Sequence, residues 1–175
     1  MQLKFPTEAT YDAMSSPVGM LTILTSPKGL HAIFWDNDKE TVTKLTQQAQ
    51  HDPNEKTISA TKKQLKEYFA GQRKVFDLPL VIEGTAFQKQ AWKQLCNIPY
   101  ATTISYGTQA ERMGDKNKAR AAGMANGCNP ISIVIPCHRV IGSNGKLVGF
   151  GGGLEKKAYL LQLEHNNCHM TESLS

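Results

Sequence analysis

The tightest constraint in this chain is the stretch Ile131-Ser132-Ile133-Val134-Ile135-Pro136-Cys137-His138-Arg139-Val140-Ile141. An apolar run ends abruptly in Pro-Cys-His-Arg and resumes as Val-Ile. Branched residues in such a run predict a short interior strand. Proline has no N–H to give to a strand ladder, so the chain has to leave regular pairing at Pro136. A thiol and an imidazole, adjacent in sequence, are thereby delivered to the edge of a core. Cys137 is the candidate nucleophile. A thiol attacks as its thiolate, and its free pKa of about 8.5 falls beside a cation, an imidazole or a helix N-terminus. His138 is the candidate proton acceptor. Neighbouring side chains on an extended strand point to opposite faces, so a bridging water or a bend after Pro136 has to connect the two. An imidazole acting as base needs an orienting carboxylate. Glu164, in the apolar last turn of the final helix, is the candidate. Against this stands the plainer reading of a core thiol beside a structural histidine, which spacing alone favours.

Charge divides the chain at Glu83-Gly84. Residues 1–83 carry ten Lys/Arg and ten Asp/Glu, whereas residues 84–165 carry ten Lys/Arg and four Asp/Glu, a net of +6. The basic excess thus lies in the half that holds Cys137, and a basic face suits a polyanion, most commonly nucleic acid. The 175 residues fit two small units, an N-terminal one over 1–83 and a C-terminal one over 84–165, with a flexible tail over 166–175. No run reaches membrane-spanning length, and Met1 to Pro6 lacks the pattern of a signal peptide, so the expected compartment is the cytoplasm. The four cysteines, Cys96, Cys128, Cys137 and Cys168, read as free thiols in a reducing compartment. They form no CxxC and no paired Cys/His spacing, which argues against zinc.

In the N-terminal half, residues 10–35 predict a β-meander punctuated by Ser15–Gly19 and Ser26–Gly29. Helices are expected over 36–50, with Val42, Leu45 and Ala49 on one face, and over Ser59–Ala70. His51–Glu55 reads as a loop and Val75–Ile82 as a strand. Trp35, Tyr68 and Phe69 are core candidates, and no catalytic constellation stands out here.

In the C-terminal half, Thr85 and Gln88 have the spacing of a capping box before a helix that ends short of Pro99. Ile104–Gly107 is expected to be extended. Two short helices follow, Thr108–Met113 closed by Gly114 and Asn117–Ala125 closed by Asn126-Gly127, the pattern of a helix-turn-helix. The second is basic at its start (Lys116, Lys118, Arg120) and small thereafter. Small side chains suit close approach to nucleic acid and equally suit tight helix packing. Gly149, Gly151, Gly152 and Gly153 make an open loop, with no Gly-Lys-Ser/Thr of a phosphate loop after them. The final helix is expected over Leu154–His165, with Leu160, Leu161 and Leu163 inward.

From Gly84 to Glu164 the chain resembles the O6-alkylguanine-DNA alkyltransferases, the methylated-DNA–protein-cysteine methyltransferases. The matching segments are Gly84-Thr85-x-Phe87-Gln88, Trp92 with Leu95, Ile98-Pro99-Tyr100, Ser105-Tyr106-Gly107, Ala119-Arg120-Ala121, Asn126-Gly127-x-Asn129-Pro130-Ile131, Gly153-Leu154 and Leu160-Leu161-x-x-Glu164. The most specific is Ile135-Pro136-Cys137-His138-Arg139-Val140. The resemblance implies an α/β protein. Its N-terminal α/β domain would have an antiparallel, ribonuclease H-like sheet. Its mostly helical, winged-helix-like C-terminal domain would carry the helix-turn-helix and the active-site cysteine.

It also implies the chemistry. Cys137 would take the alkyl group from O6-alkylguanine, and by extension O4-alkylthymine, once and irreversibly, with no cofactor. Glu164, His138 and a water would form the relay to Cys137, and Tyr106 would give a proton to the leaving guanine. Arg120 would fill the stack after base flipping, with Lys118, Ala119, Ala121 and Asn126 also at the DNA. Asn129 would join the helix-turn-helix to the active-site strand, while Pro136, Arg139, Val140, Phe150 and Gly151 would support or line the base pocket. Flipping follows from physics too, because a stacked O6 is out of reach of a protein thiol. The partner implied is double-stranded DNA carrying alkylated bases, bound with little sequence specificity by a monomer, with no membrane and no metal. The alternative is a sensor of the same fold that binds damage without reacting. Its relatives replace the cysteine, which Cys137 argues against. A methylation-responsive regulator would need a further domain, and a cysteine hydrolase would turn over.

Overall fold

The computed structural model describes residues 4–173, with side chains as far as Cys168. The chain forms two compact units, Met1–Ile82 and Glu83–Ser175. No helix among the described residues is long and apolar enough to cross a membrane.

The first unit is built on a four-stranded sheet of order β3-β2-β1-β4. Strands β1 (Thr10–Met14), β2 (Leu21–Ser26) and β3 (Gly29–Phe34) form the meander. β2 is buried along its whole length because it lies between the other two. Alternation splits its side chains between two faces. Leu24 joins Ala9, Ala32, Phe34 and Leu45 in one core cluster, Leu45 coming from helix α1 (Lys39–Gln48). Thr25, on the other face, donates to Glu55 Oε2 (2.9 Å). Glu55 in turn caps helix α2 (Lys56–Phe69) by accepting from Ile58 N (2.9 Å). That cap starts α2 three residues ahead of the expected Ser59. Ile58, Leu65 and Tyr68 of α2 are fully buried, and burying a side chain of this kind stabilises by roughly 1.5–3 kcal/mol.

Two expectations fail in this unit. Gln50–His51 forms a short strand, β4, parallel to β1, where the end of a helix and the start of a loop were expected. Its side chains are exposed, so no apolar pattern announces it. Val75–Ile82 is not a strand, apart from a single bridge between Leu80 and Leu30. Pro79 offers only a carbonyl, which accepts from Leu30 N (2.7 Å). The Gln64 side chain takes both backbone groups of Asp77 (2.8 Å each).

The second unit is mostly helical. Helix α3 (Ala86–Cys96) begins with the capping box of Thr85 and Gln88 and buries Ala91, Trp92 and Leu95. A two-residue strand β5 (Ile104–Ser105) leads into α4 (Tyr106–Arg112), so Tyr106 is helical rather than extended. The cause is Ser105, whose hydroxyl caps Thr108 N (3.0 Å). After a turn at Gly114 (φ 104°) and a 3-10 turn over Lys116–Lys118 comes α5 (Ala119–Gly127). The small residues of α5 serve packing on one side, where Ala122 and Ala125 are buried. Trp92 Nε1 donates to Ala125 O (2.8 Å). The amides of Gln109 and Asn126 exchange two hydrogen bonds (2.9 and 2.8 Å), locking α4 to α5.

The expected interior strand over Ile131–Ile135 is instead a tight turn, with Ile135 N donating to Ile131 O (2.9 Å) and a bridge between Ser132 and Ile135. Ile133 sits at φ 74°, a conformation that opposes strand formation and costs on the order of 1–3 kcal/mol for a branched residue. Cys137–Arg139 is one turn of 3-10 helix, and β6 (Val140–Ile141) pairs in parallel with β5. Helix α6 runs Leu154–Ser173, beyond the expected end at His165. Neither glycine nor proline follows His165 to stop it. Asn166 and Asn167 are held instead, by Gln162 (2.8 Å) and the Tyr100 hydroxyl (3.3 Å). Of the expected tail, residues 174–175 lie outside the described residues.

Candidate active site and nucleic-acid interface

The turn that presents Cys137 is fixed by Asn129 and Pro136. Asn129 Oδ1 accepts from Ile131 N (3.0 Å) and its Nδ2 donates to Ile135 O (2.7 Å), tying the two ends of the turn together. Pro136 (φ −82°, ψ 68°) is the central residue of an inverse γ-turn closed by Cys137 N donating to Ile135 O (2.8 Å). This is the bend after the apolar run, and it puts Cys137 and His138 on a 3-10 turn rather than on opposite faces of a strand. Cys137 is almost wholly buried. Burial pushes its thiol pKa up, while a hydrogen bond from Asn129 and the Lys157 charge pull the other way. The net direction is upward, so the resting group is a thiol that needs a base.

His138 and Glu164 are fully buried and in contact, Nε2 to Oε2, at 2.6 Å. Glu164 also accepts a two-pronged bond from Arg139, Nε at 2.8 Å and Nη2 at 3.1 Å, and a bond from Ala101 N at 3.1 Å. Burial alone would raise its pKa, but His138 and then Arg139 outweigh that and hold it at about 2. Glu164 is therefore ionised, and an ionised carboxylate can only accept. Nε2 must carry the hydrogen, which leaves the lone pair on Nδ1. That Nδ1 is buried and has no protein partner. Burial lowers the His138 pKa; Glu164 opposes this, and the Arg139 and Lys157 charges reinforce it. The product is a neutral imidazole with a free basic nitrogen one residue from the thiol. Arg139 is itself anchored, by Ile98 O (2.8 Å) and by lying 5.6 Å from the Tyr100 ring centre.

Tyr106 stands at the first position of α4. Its hydroxyl donates to Val148 O (2.8 Å) in the loop before α6. Gly123 of α5 lies so close to its ring that an added Cβ would sit 3.4 Å away. Burial raises the Tyr106 pKa, and so does a charge on Cys137. The sequence did not point to Lys157, which is fully buried and reaches Val148 O (3.1 Å), Gly149 O (3.5 Å) and Tyr106 Oη (3.5 Å). Burial lowers its pKa, opposed by Cys137. The buried face of α6 is Lys157, Leu160 and Glu164, at i, i+3 and i+7, while Leu161 and Leu163 are only half-buried. The signal was that spacing, read with Glu164 taken as inward.

The remaining candidates fall in two groups. Lys118, Arg120 and Ala121 are exposed on the helix-turn-helix, and Ala119 is half-buried. Asn126 does not share that face, because its side chain is buried and paired with Gln109. It braces the two helices and presents nothing to a ligand. Val140 is buried in β6, whereas Phe150 is half-buried and Gly151 exposed in the loop before α6. Among the described residues no group of three His, Cys, Asp or Glu side chains could hold a metal ion.

Comparison with known proteins covers both units. Residues 86–166 match the family model of the 6-O-methylguanine DNA methyltransferase DNA-binding domain, and residues 9–82 match that of its ribonuclease-like domain. The methylated-DNA–protein-cysteine methyltransferase of Methanosarcina barkeri is 44% identical over 157 residues, 90% of this chain and 98% of that protein. That of Shigella flexneri is 40% identical over 160 residues, 87% and 94% of the two chains. Among solved structures, Mycobacterium tuberculosis OGT in complex with DNA superposes with a TM-score of 0.83 at 42% identity, covering 90% of this chain and 94% of that one.

Proposed function

The chain belongs to the 6-O-methylguanine DNA methyltransferase family, and from that premise we propose that it repairs DNA by moving the alkyl group of O6-alkylguanine irreversibly onto Cys137. The single observation that carries this reading is the wholly buried His138–Glu164 pair at 2.6 Å, which leaves a basic, unpartnered Nδ1 on the residue next in sequence to a buried thiol.

The flipped base brings its O6-alkyl carbon to Cys137. The thiol proton passes through a water to His138 Nδ1, and Glu164 stabilises the imidazolium that forms. The thiolate attacks the alkyl carbon, an S–C bond forms, and the O6–C bond breaks with its electron pair going to guanine. Tyr106 returns a proton to the leaving base and is recharged from solvent. A thioether has no leaving group better than itself, so each molecule acts once and no cofactor is required. Asn129 and Lys157 favour the thiolate during the step. Arg139 holds Glu164, and Pro136 aims the thiol.

The DNA face is the exposed side of the helix-turn-helix. Lys118 contacts the backbone, Ala119 and Ala121 allow close approach, and Arg120 fills the gap left by the flipped base. Phe150, Gly151 and the backbone of Val140 line the base pocket, which takes methyl groups on guanine and also O4-alkylthymine. Residues 1–83 are read as an N-terminal domain and residues 84–165 as a DNA-binding, alkyl-accepting domain, a reading supported by the division of the chain into two compact units. The protein works as a monomer in the cytoplasm, where the free thiols are kept reduced.

The test is the mass of the intact protein after incubation with duplex DNA carrying one O6-methylguanine. The expected result is a gain of one methylene, confined to Cys137, at one methyl per protein, and absent from Cys137→Ser. Repeated turnover, or no adduct, refutes the reading.

A further inference from the structure

The exposed side of α5 is one continuous stripe. Arg120, Ala121, Met124, Gly127 and Cys128 are exposed, while Ala122, Ala125 and Asn126 are buried. The exposed positions follow the i, i+1, i+4, i+7, i+8 spacing of a single helix face. Ala121 and Gly127 keep that face low on either side. Met124 does not: it is a large apolar side chain, 71% exposed, one helical turn beyond Arg120. One turn is about 5.4 Å along the helix.

A single exposed apolar side chain normally means nothing. The surroundings give this one a meaning. Lys116 and Lys118, in the 3-10 turn that leads into α5, and Arg120 in its first turn are all exposed, so the approach to this face is charged to meet a polyanion. The small residues beside Met124 let a duplex come close enough for that one side chain to penetrate. We propose that Met124 is an apolar wedge that enters the minor groove of duplex DNA beside Arg120 and loosens the base stack next to the alkylated nucleotide.

This inference rests on the repair reading above and deepens it. The minor groove of B-form DNA is about 6 Å wide, and an unbranched thioether is slim, flexible and polarizable. It needs no hydrogen-bonding partner, so it reads no sequence, as a repair protein requires. Apolar side chains inserted between base steps unstack them, and a nucleotide beside an unstacked step costs less to flip. The labour then divides along the stripe. Met124 weakens the stack before the base leaves, and Arg120 occupies the gap afterwards.

The test compares wild type, Met124→Ala and Met124→Leu in single-turnover transfer from an O6-methylguanine duplex and from a free O6-alkylguanine base. A fluorescent base analogue beside the lesion reports unstacking. Met124→Ala is expected to slow transfer from the duplex roughly tenfold, to leave the free-base rate unchanged and to suppress the rise in fluorescence. Met124→Leu keeps all three at wild-type values, since it is apolar and of similar bulk. The wedge is overturned if Met124→Ala repairs the duplex at the wild-type rate, if it slows both substrates equally, or if Met124→Leu behaves like Met124→Ala. Wild-type protein that takes a methyl from neither substrate overturns the repair reading and the wedge together. Wild-type transfer with an indifferent Met124→Ala overturns the wedge alone.

Discussion

Each unit of this protein contains a carboxylate gripped by a histidine and a cation, and the two clusters differ chiefly in water. In the first unit Asp12 accepts from His51 (2.8 Å) and pairs with Lys62. Their side chains are 11%, 55% and 22% exposed. In the second unit Glu164 accepts from His138 and Arg139, with exposures of 0%, 0% and 8%. Burial raises the pKa of both carboxyls and their partners lower it further, but only Glu164 is held as far down as about 2. The same combination of carboxylate, imidazole and cation thus gives a partly screened tie in one place and a fixed electrostatic device in the other. Burial makes the difference, because a charge without solvent has to keep its partner.

The largest effect expected from this contrast is at Glu164. Glu164→Gln leaves Arg139 as an uncompensated buried charge and should destabilise the second unit by about 3–5 kcal/mol, measured by urea unfolding. Transfer, measured below the unfolding transition, should fall at least about 100-fold with the loss of the oriented base. The sign with pH is set by the lowered pKa. The stabilisation is complete above the ordinary glutamate value of 4.5 and is lost as pH falls toward 2. That acid dependence, worth about 3 kcal/mol, should be missing from Glu164→Gln. Next in size is Lys157→Met, which removes a charge that favours the Cys137 thiolate and the tie to Val148 and Gly149. Transfer should slow by about tenfold, with the pH–rate profile displaced upward. The smallest effect belongs to the cluster of the first unit, where Asp12 is buried but His51 and Lys62 reach water. Asp12→Asn should cost no more than about 1 kcal/mol and leave transfer unchanged. An Asp12→Asn loss as large as that of Glu164→Gln would break the comparison.

Much of the architecture is written in local sequence signals. Thr85 and Gln88 announce the start of α3, and Gly114 separates the two helices of the helix-turn-helix. What escapes are the places where tertiary contacts overrule the pattern. An apolar run such as Ile131–Ile135 reads as a strand, yet the Asn129 clamp and Ile133 at positive φ fold it into a turn. Val75–Ile82 is claimed by Gln64 and by the edge of β3 through groups that periodicity does not show. On α6, hydrophobicity sends Leu161 and Leu163 inward, whereas the buried stripe holds Lys157 and Glu164. The site was legible in part for the same reason. Cys137, His138 and Glu164 can be named from motif and triad logic. The clamp of Arg139 on Glu164 and the reach of Lys157 to Val148 cannot, because they depend on burying charges that composition places outside. Asn126 shows the converse, a polar residue beside a basic helix that the fold spends on bracing Gln109.

Burial leaves His138 as a neutral base with an unpartnered Nδ1. The most direct measurement is the nitrogen NMR of the His138 ring in the unmodified protein, followed from pH 7 downward. The expected result is one tautomer, with the proton on Nε2 and Nδ1 unprotonated, persisting below the ordinary histidine pKa of 6.5. A proton on Nδ1, or an imidazolium already present at pH 7, would contradict it.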